Sequence, residues 1–249
     1  MSKIDSLCHM THNGIEPVLE EIISEVSTQI KRGGRPTLVF DLDSTLFEVH
    51  HRTAKILEEF LNLKHLDVEF VRRAKKVVIE PYDWGIKSAF VRVGFTDFPE
   101  PIKKEMILFW RERFFSDDYL ELDHPSEGAV EFVNEVHDLG AHILYLTGRD
   151  TLRMGKGTHK TLKKWGFPVL ESTSDLVMKP KSGIEDVEYK VEVLRAFEGA
   201  QWFFENEPKI LHAVEKHYPQ LRLVWLDTTH SGQAEPQGHW TRIRSFKRK

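Results

Sequence analysis

Pro36-Thr37-Leu38-Val39-Phe40-Asp41-Leu42-Asp43-Ser44-Thr45 is the stretch from which the architecture of this chain can be read. Thr37 to Phe40 is a short run of strand formers bounded by proline and by aspartate, and it predicts a strand buried on both faces. Upstream, Ile15, Val18, Leu19, Ile22, Ile23, Val26 and Ile30 recur at helical spacing with Glu and Lys between them, an amphipathic helix closed by Gly33-Gly34. Downstream, similar apolar runs follow helical patterns: His142–Leu146 after a helix from Pro125 to Leu139, Gln201–Phe204 after Asp186 to Phe197, and Leu221–Leu226 after Pro208 to His217. A weaker run, Pro168–Leu170, follows a helix from Thr151 to Trp165. Strands alternating with helices of ten or more residues imply right-handed crossovers and a parallel sheet covered on both faces. The expected fold class is therefore α/β, a doubly wound Rossmann-like parallel sheet.

One segment breaks the alternation. Between Glu48 and Asp123 the pattern gives helices, about Arg52 to Asn62, Asp67 to Val78 and Pro99 to Phe115, and no convincing core strand. An inserted helical cap subdomain over the C-terminal end of the first strand explains this, with residues 1–48 and 124–249 as core and 49–123 as insertion.

Composition narrows the function classes. A chain of 249 residues holds one sizeable α/β core with a smaller insertion, and 40% apolar with 30% charged residues is an ordinary globular balance. The charge of 35 − 39 = −4 gives no electrostatic reason to expect nucleic acid or an anionic membrane as partner. Cys8, the only cysteine, cannot form an intrachain disulfide, and neither a signal-peptide core nor a membrane-length apolar run is present. The expectation is a soluble, cytoplasmic protein; the sequence does not fix its oligomeric state.

Chemistry concentrates where the strands end. In an open parallel sheet, ligands bind outside the carboxyl ends of the strands. Asp41 and Asp43, two residues apart on an extended chain, emerge on one side. Held close they repel, and a divalent cation such as Mg2+, which prefers carboxylate, phosphate and water oxygens, relieves the repulsion. One carboxylate is then a nucleophile and its neighbour a proton carrier. Thr147-Gly148-Arg149 offers a hydroxyl and backbone amides to phosphate oxygens after the second core strand. Lys179 and Lys190 flank the start of a later helix and either can supply a cation, while Glu205-Asn206-Glu207-Pro208 places a carboxylate and an amide at the same edge. Metal, lysine and hydroxyl donors around a transferring phosphoryl group are what its charged transition state requires.

These residues resemble the motifs of the haloacid dehalogenase (HAD) superfamily. Asp41-Leu42-Asp43-Ser44-Thr45 is similar to its first motif, a hydrophobic strand followed by DxDx(T/V), and Leu146-Thr147-Gly148-Arg149 to its second, a strand ending in Thr or Ser. The match spans roughly Pro36 to Leu226, with the inserted helices in the position of a C1-type cap. The resemblance implies a magnesium-dependent phosphohydrolase acting on a small phosphorylated substrate through an aspartyl-phosphate. In it Asp41 is nucleophile, Asp43 is acid/base, and Thr147 with Gly148 binds the phosphoryl group. Dehalogenases of the superfamily lack a carboxylate at the place of Asp43, which favours phosphate chemistry here. Lys190 is preferred as the third-motif lysine because it opens a helix whose buried face is Val187, Val191 and Leu194; Lys179 before Pro180 is the runner-up. The fourth motif departs from the family's usual Asp residues. Glu205 would hold Mg2+ with Asp41 and the backbone carbonyl of Asp43, and Asn206 would add a neutral oxygen or a hydrogen bond.

Other features fall outside this constellation. Tyr82, Trp84, Phe90, Phe95, Phe98, Trp110, Phe114, Phe115 and Tyr119 crowd the insertion, most of them expected in its small core and a few facing substrate. His50 and His51 read as hinge or surface residues, having no carboxylate at metal-ligand spacing in the pattern. The basic run Arg242, Arg244, Lys247, Arg248, Lys249 reads as a solvated tail. Two rival functions remain open: a phosphotransferase using the same site, and a binding protein that kept the fold without turnover.

Overall fold

The computed structural model describes residues 14–169, 172–197 and 199–248; Cys8 and the arm around it, Leu170 and Lys249 lie outside the described residues. Six strands form one sheet, β1 (Thr37–Phe40), β4 (His142–Asp150), β5 (Ser174–Lys179), β6 (Ala200–Glu205), β7 (Arg222–Leu226) and β8 (Thr241–Ile243), in the order β5-β4-β1-β6-β7-β8. Every neighbouring pair is parallel. The chain winds from β1 through β4 to β5, then returns to the other side of β1 for β6, β7 and β8. The order thus reverses beside β1, and the C-terminal ends of β4, β1 and β6 lie side by side at that switch point.

Burial on both faces explains why the strands read as continuous apolar runs. Leu38 and Phe40 of β1 pack into one layer with Leu19, Phe132, Tyr145 and Phe204, the layer covered by α1 (Pro17–Lys31) and α6 (Ala129–Asp138). Val39, between them, points into the other layer, with Leu144, Leu146, Phe203 and residues of α8 (Asp186–Ala196) and α9 (Pro208–His217). The helix α7 (Thr151–Trp165) starts directly after β4, its N-terminus capped by the side chain of Asp150.

Between the short strands β2 (Phe47–Glu48) and β3 (His124–Pro125), which pair antiparallel as a separate ribbon, lie α2 (His50–Leu61), α3 (Val68–Ala74), α4 (Gly85–Arg92), α5 (Glu100–Phe114) and a 3-10 turn, Asp117–Leu122. These inserted helices have a core of their own that includes Phe60, Phe70, Ile86, Phe90, Phe95 and Met106.

Three expectations need correction. The strand that follows α7 is Ser174–Lys179, not Pro168–Leu170: Val169 only packs against the core from a loop, and the true strand is a sheet edge whose half-exposed residues give no continuous apolar run. The basic C-terminal segment is not a free tail. Thr241–Ile243 is the sixth strand, Phe246 is buried, and Arg242, Lys247 and Arg248 pair with Asp227, Glu127 and Glu20. Gly128 permits this docking: its φ is +79°, and a Cβ there would meet the carbonyl oxygen of Phe246 at 2.3 Å. Helix α4 was not expected at all, because its eight residues, which start at Gly85 directly after Trp84, hold no repeating pattern long enough to read. Among the described residues, no helix is long and apolar enough to cross a membrane.

Candidate active site

Asp41 is the first residue beyond β1, its amide donating to the carbonyl of Phe204 on β6, so the strand ladder fixes its backbone. The loop that follows is tight. Thr45 and Phe47 both donate to the carbonyl of Leu42, and Ser44 takes a left-handed φ of +62°. A side chain in that region carries strain of order 1–3 kcal/mol, held here by the Ser44 amide bond to Phe47 and the Thr228 hydroxyl bond to the Ser44 carbonyl. The two carboxylates of the loop acquire different surroundings.

Asp41, 5% exposed, faces Lys190, whose Nζ donates to Asp41 Oδ1 at 2.5 Å and to Glu205 Oε2 at 2.7 Å. Glu205, at the end of β6 and 1% exposed, also accepts the amides of Asn206 and Glu207 through Oε1. One lysine thus serves two buried carboxylates. Burial pushes Asp41 up against the pull of Lys190, and burial with Asp41 nearby pushes Glu205 up to about 8. Lys190 is held protonated, the two carboxylates outweighing its own burial. Asp41, Glu205 and Lys190 together carry one surplus negative charge, and the two carboxylates with the Asp43 carbonyl are oxygens of the type that Mg2+ selects.

Asp43 is bound differently. Arg149 donates Nε to Oδ2 at 3.0 Å and an Nη to Oδ1 at 2.7 Å, and Arg52 adds an Nη to Oδ1 at 2.7 Å. Both arginines also bond Asp123, Arg52 through Nε at 2.9 Å and an Nη at 2.8 Å, Arg149 through an Nη at 2.7 Å. Despite burial, the guanidiniums of Arg149 and Arg52 hold the Asp43 carboxyl far below the usual range. Burial pushes Asp123 up, yet both its oxygens accept N–H bonds, the geometry of an ionised carboxylate.

The remaining expected residues are placed as follows. Gly148 lines the cavity above Asp41, and a Cβ on it would meet Asp186 Oδ1 at 2.5 Å, so the close approach of α8 to β4 needs glycine. Thr147, expected to bind the phosphoryl group, is buried and does not line the cavity; its Oγ1 accepts the Arg149 amide at 3.2 Å. Lys179 does not reach Asp41; its ammonium bonds the Ile184 carbonyl and pairs with Asp186. Asn206 donates to the Thr229 carbonyl at 2.6 Å and accepts from Thr45 at 3.3 Å, fastening the β6 end to neighbouring loops.

The sequence pattern fixes no partner for the Arg149 side chain, and Arg52 and Asp123 were missed. Arg52 carried a readable signal, since it shares a helix face with Ile56 and Phe60 at four-residue spacing, and all three are buried. Asp123 had none, because its partners stand 71 and 26 positions away.

Above these groups is a cavity of about 380 Å3. Its floor is Asp41, Asp43, Gly148, Arg149, Lys190 and Glu205; its far wall, from the inserted helices, includes Thr53, Trp84, Trp110, Phe114 and Phe115. Trp110 is oriented by an indole N–H bond to the Thr53 hydroxyl at 3.1 Å and packs on Phe114 with centroids 4.7 Å apart.

No protein-family model matches this sequence, and no curated protein matches it. Solved structures do. A phosphatase structure from Clostridium difficile aligns with a TM-score of 0.53 at 14% identity over 84% of this chain and 93% of its own. The HAD hydrolase YfnB from Bacillus subtilis, solved bound to magnesium, aligns with a TM-score of 0.51 at 15% identity, covering 85% and 95%. CbbY from Rhodobacter sphaeroides, solved as a mutant with xylulose-(1,5)bisphosphate, aligns with a TM-score of 0.50 at 17% identity, covering 85% and 95%. The chain therefore has the fold of the haloacid dehalogenase superfamily, a doubly wound parallel sheet with an inserted helical cap.

Proposed function

We propose that this protein is a magnesium-dependent phosphohydrolase that removes phosphate from a small monoester through an aspartyl-phosphate on Asp41. The observation that carries the reading is the ion-paired Asp41 at the β1 end, held by Lys190 beside Glu205 and opening on a cavity of about 380 Å3. The residues between the β2–β3 ribbon strands, 49–123, act as the cap that covers it.

In the first half-reaction an Asp41 oxygen attacks phosphorus, the ester P–O bond breaks, and the leaving oxygen takes a proton from Asp43. In the second, Asp43 takes a proton from water, the water oxygen attacks the phosphorus, and Asp41 is released as a carboxylate. Lys190 stays protonated throughout and offsets charge on the transferring group. Asp41, the Asp43 carbonyl and Glu205 would hold Mg2+, which supplies further charge neutralisation at the phosphoryl oxygens. The pairing of Asp43 with two arginines keeps it ionised but weakens it as a base, so it takes the proton of the second half only once they release it. Donating a proton in the first half requires the arginines to release it, and Arg52, carried by the first cap helix, would leave with a movement of the cap on the ribbon. The ligand of the CbbY mutant structure, xylulose-(1,5)bisphosphate, supports a small phosphorylated substrate.

The test is hydrolysis of an aryl phosphate and a panel of phosphorylated metabolites with and without Mg2+, in wild type and Asp41→Asn. Turnover that needs Mg2+ and disappears in the variant supports the mechanism. Equal rates in both proteins sink it, and phosphate appearing on an added alcohol rather than in solution identifies a phosphotransferase.

A further inference from the structure

The ribbon that leads into the inserted helices gathers nitrogen donors that the phosphatase reading does not use. Glu48 ends β2 and is the cross-strand partner of His124 on β3, so their side chains lie on one face of the ribbon. His50 and His51 open α2 immediately afterwards. The ring centroids of His50 and His51 are 3.8 Å apart and those of His51 and His124 are 4.5 Å apart. His50 Nδ1 lies 3.9 Å from Glu48 Oε2, and one donor atom each from Glu48, His50 and His51 falls within a 4.8 Å sphere of mutual distances. The carboxylate missing from the sequence pattern is therefore Glu48, which precedes the histidine pair and is brought to it by the turn from strand to helix.

We propose that Glu48, His50 and His51, with His124 within reach, form a binding site for a divalent transition-metal cation of the zinc type, at the edge of the cavity that His50 also lines and with donors distinct from the oxygens at Asp41. Imidazole nitrogens with one carboxylate are the donor set of zinc, cobalt and nickel, whereas magnesium selects oxygen alone. Bonds of about 2.1 Å in a tetrahedral site put ligand atoms about 3.4 Å apart. The present spacings close to that by rotation of side chains, since Glu48 is 44% exposed at its side chain and His51 is exposed. A cation held there fastens the start of α2 to the ribbon. The next residue is Arg52, whose guanidinium binds Asp43, so the ion sits at the joint between cap and core.

The test is titration of the full chain with Co2+, in Mg2+ sufficient to fill the oxygen site, followed by visible absorption. The same titration with Zn2+ is followed by calorimetry. The expected result is one equivalent bound, with the intense bands of a four- or five-coordinate cobalt centre that Zn2+ abolishes. His51→Ala and, separately, Glu48→Gln should each weaken binding at least about tenfold, as loss of a ligand exceeds the effect of losing a supporting partner. Both side chains are solvent-accessible, and circular dichroism of each variant should match wild type. Absence of cobalt bands in the wild type overturns the proposal. Wild-type affinity in either variant overturns it too, and would move the ion to other donors such as Cys8, His9 and His12.

Discussion

Replacing Lys190 with methionine keeps the length of the side chain and removes the single cation between Asp41 and Glu205. Both carboxylates are then buried without a counter-charge. Breaking a buried ion pair on one side costs about 3–5 kcal/mol, because the orphaned charge loses its partner but stays out of water. For a domain of this size each kcal/mol shifts the melting temperature by about 2–4 °C, so a drop of roughly 6–20 °C is expected without Mg2+. The loss should depend on pH. Without Lys190 both acids bind protons more tightly in the folded chain than in the unfolded one, so the folded state holds the extra protons. Stability then falls as pH rises, and the deficit against wild type should be larger near about pH 8 than near about pH 5. Thermal unfolding followed by circular dichroism at both pH values, in chelator, reads this directly. A melting temperature within about 2 °C of wild type, or an equal deficit at the two pH values, would refute the argument that Lys190 balances two buried charges.

Other consequences can be checked in the same way. In the metal-free wild type, Glu205 titrates near 8 in the folded chain against an ordinary 4.5, so its protonation adds stability below about 4.5 that is lost as pH rises through 8. Glu205→Gln should flatten that part of the stability curve, an effect of up to about 5 kcal/mol, measured by denaturant unfolding across the window. The lowered Asp43 contributes the opposite slope, present above its ordinary 3.8 and lost as pH falls toward the folded value. Arg52→Gln should weaken that contribution, cost about 3–5 kcal/mol by leaving Asp43 and Asp123 to share Arg149, and move the acid limb of the turnover profile upward. Gly128→Ala should destabilise by at least about 1–3 kcal/mol, from its left-handed φ and the clash with the Phe246 carbonyl, and hydrogen exchange should show the β8 segment released.

How much of this was legible in the sequence follows from what each signal depends on. Buried strands announce themselves by composition, so Thr37–Phe40, His142–Leu146, Gln201–Phe204 and Leu221–Leu226 all fall on observed strands. Edge strands do not: β5 and β8 present one face or end to solvent, and their residues Asp175, Arg242 and Thr241 look like loop. The carboxylates at the strand ends could be found because chain order puts them there. What became of them could not, since the partner of Asp43 is fixed by contacts with Arg149, 106 positions away. Lys190 was legible because it opens a helix whose apolar stripe is Val187, Val191 and Leu194; Arg52, on one face with Ile56, offered a similar signal that went unread. A charged residue in register with an apolar stripe is a buried charge, and a buried charge needs a partner.

The distribution of these charges separates two tasks at one strand edge. Arg52 and Arg149 with Asp43 and Asp123 form a closed set of two cations and two anions, neutral as a group and bonded on every side. Asp41 and Glu205 with Lys190 form an open set, one anion in excess. On the proposed reading the open set is where chemistry happens. A divalent cation turns its charge from −1 to +1, an attractive seat for a phosphate dianion, and the raised pKa of Glu205 is the same deficit expressed as a held proton. Binding the metal should therefore release a proton near neutral pH. The closed set cannot take up that proton, because every oxygen of Asp43 and Asp123 already accepts an N–H bond from a guanidinium. The neutral set holds cap to core, and the charged set waits for substrate; a movement that separates Arg52 from Asp43 would convert a structural carboxylate into a catalytic one without changing any residue in the floor of the site.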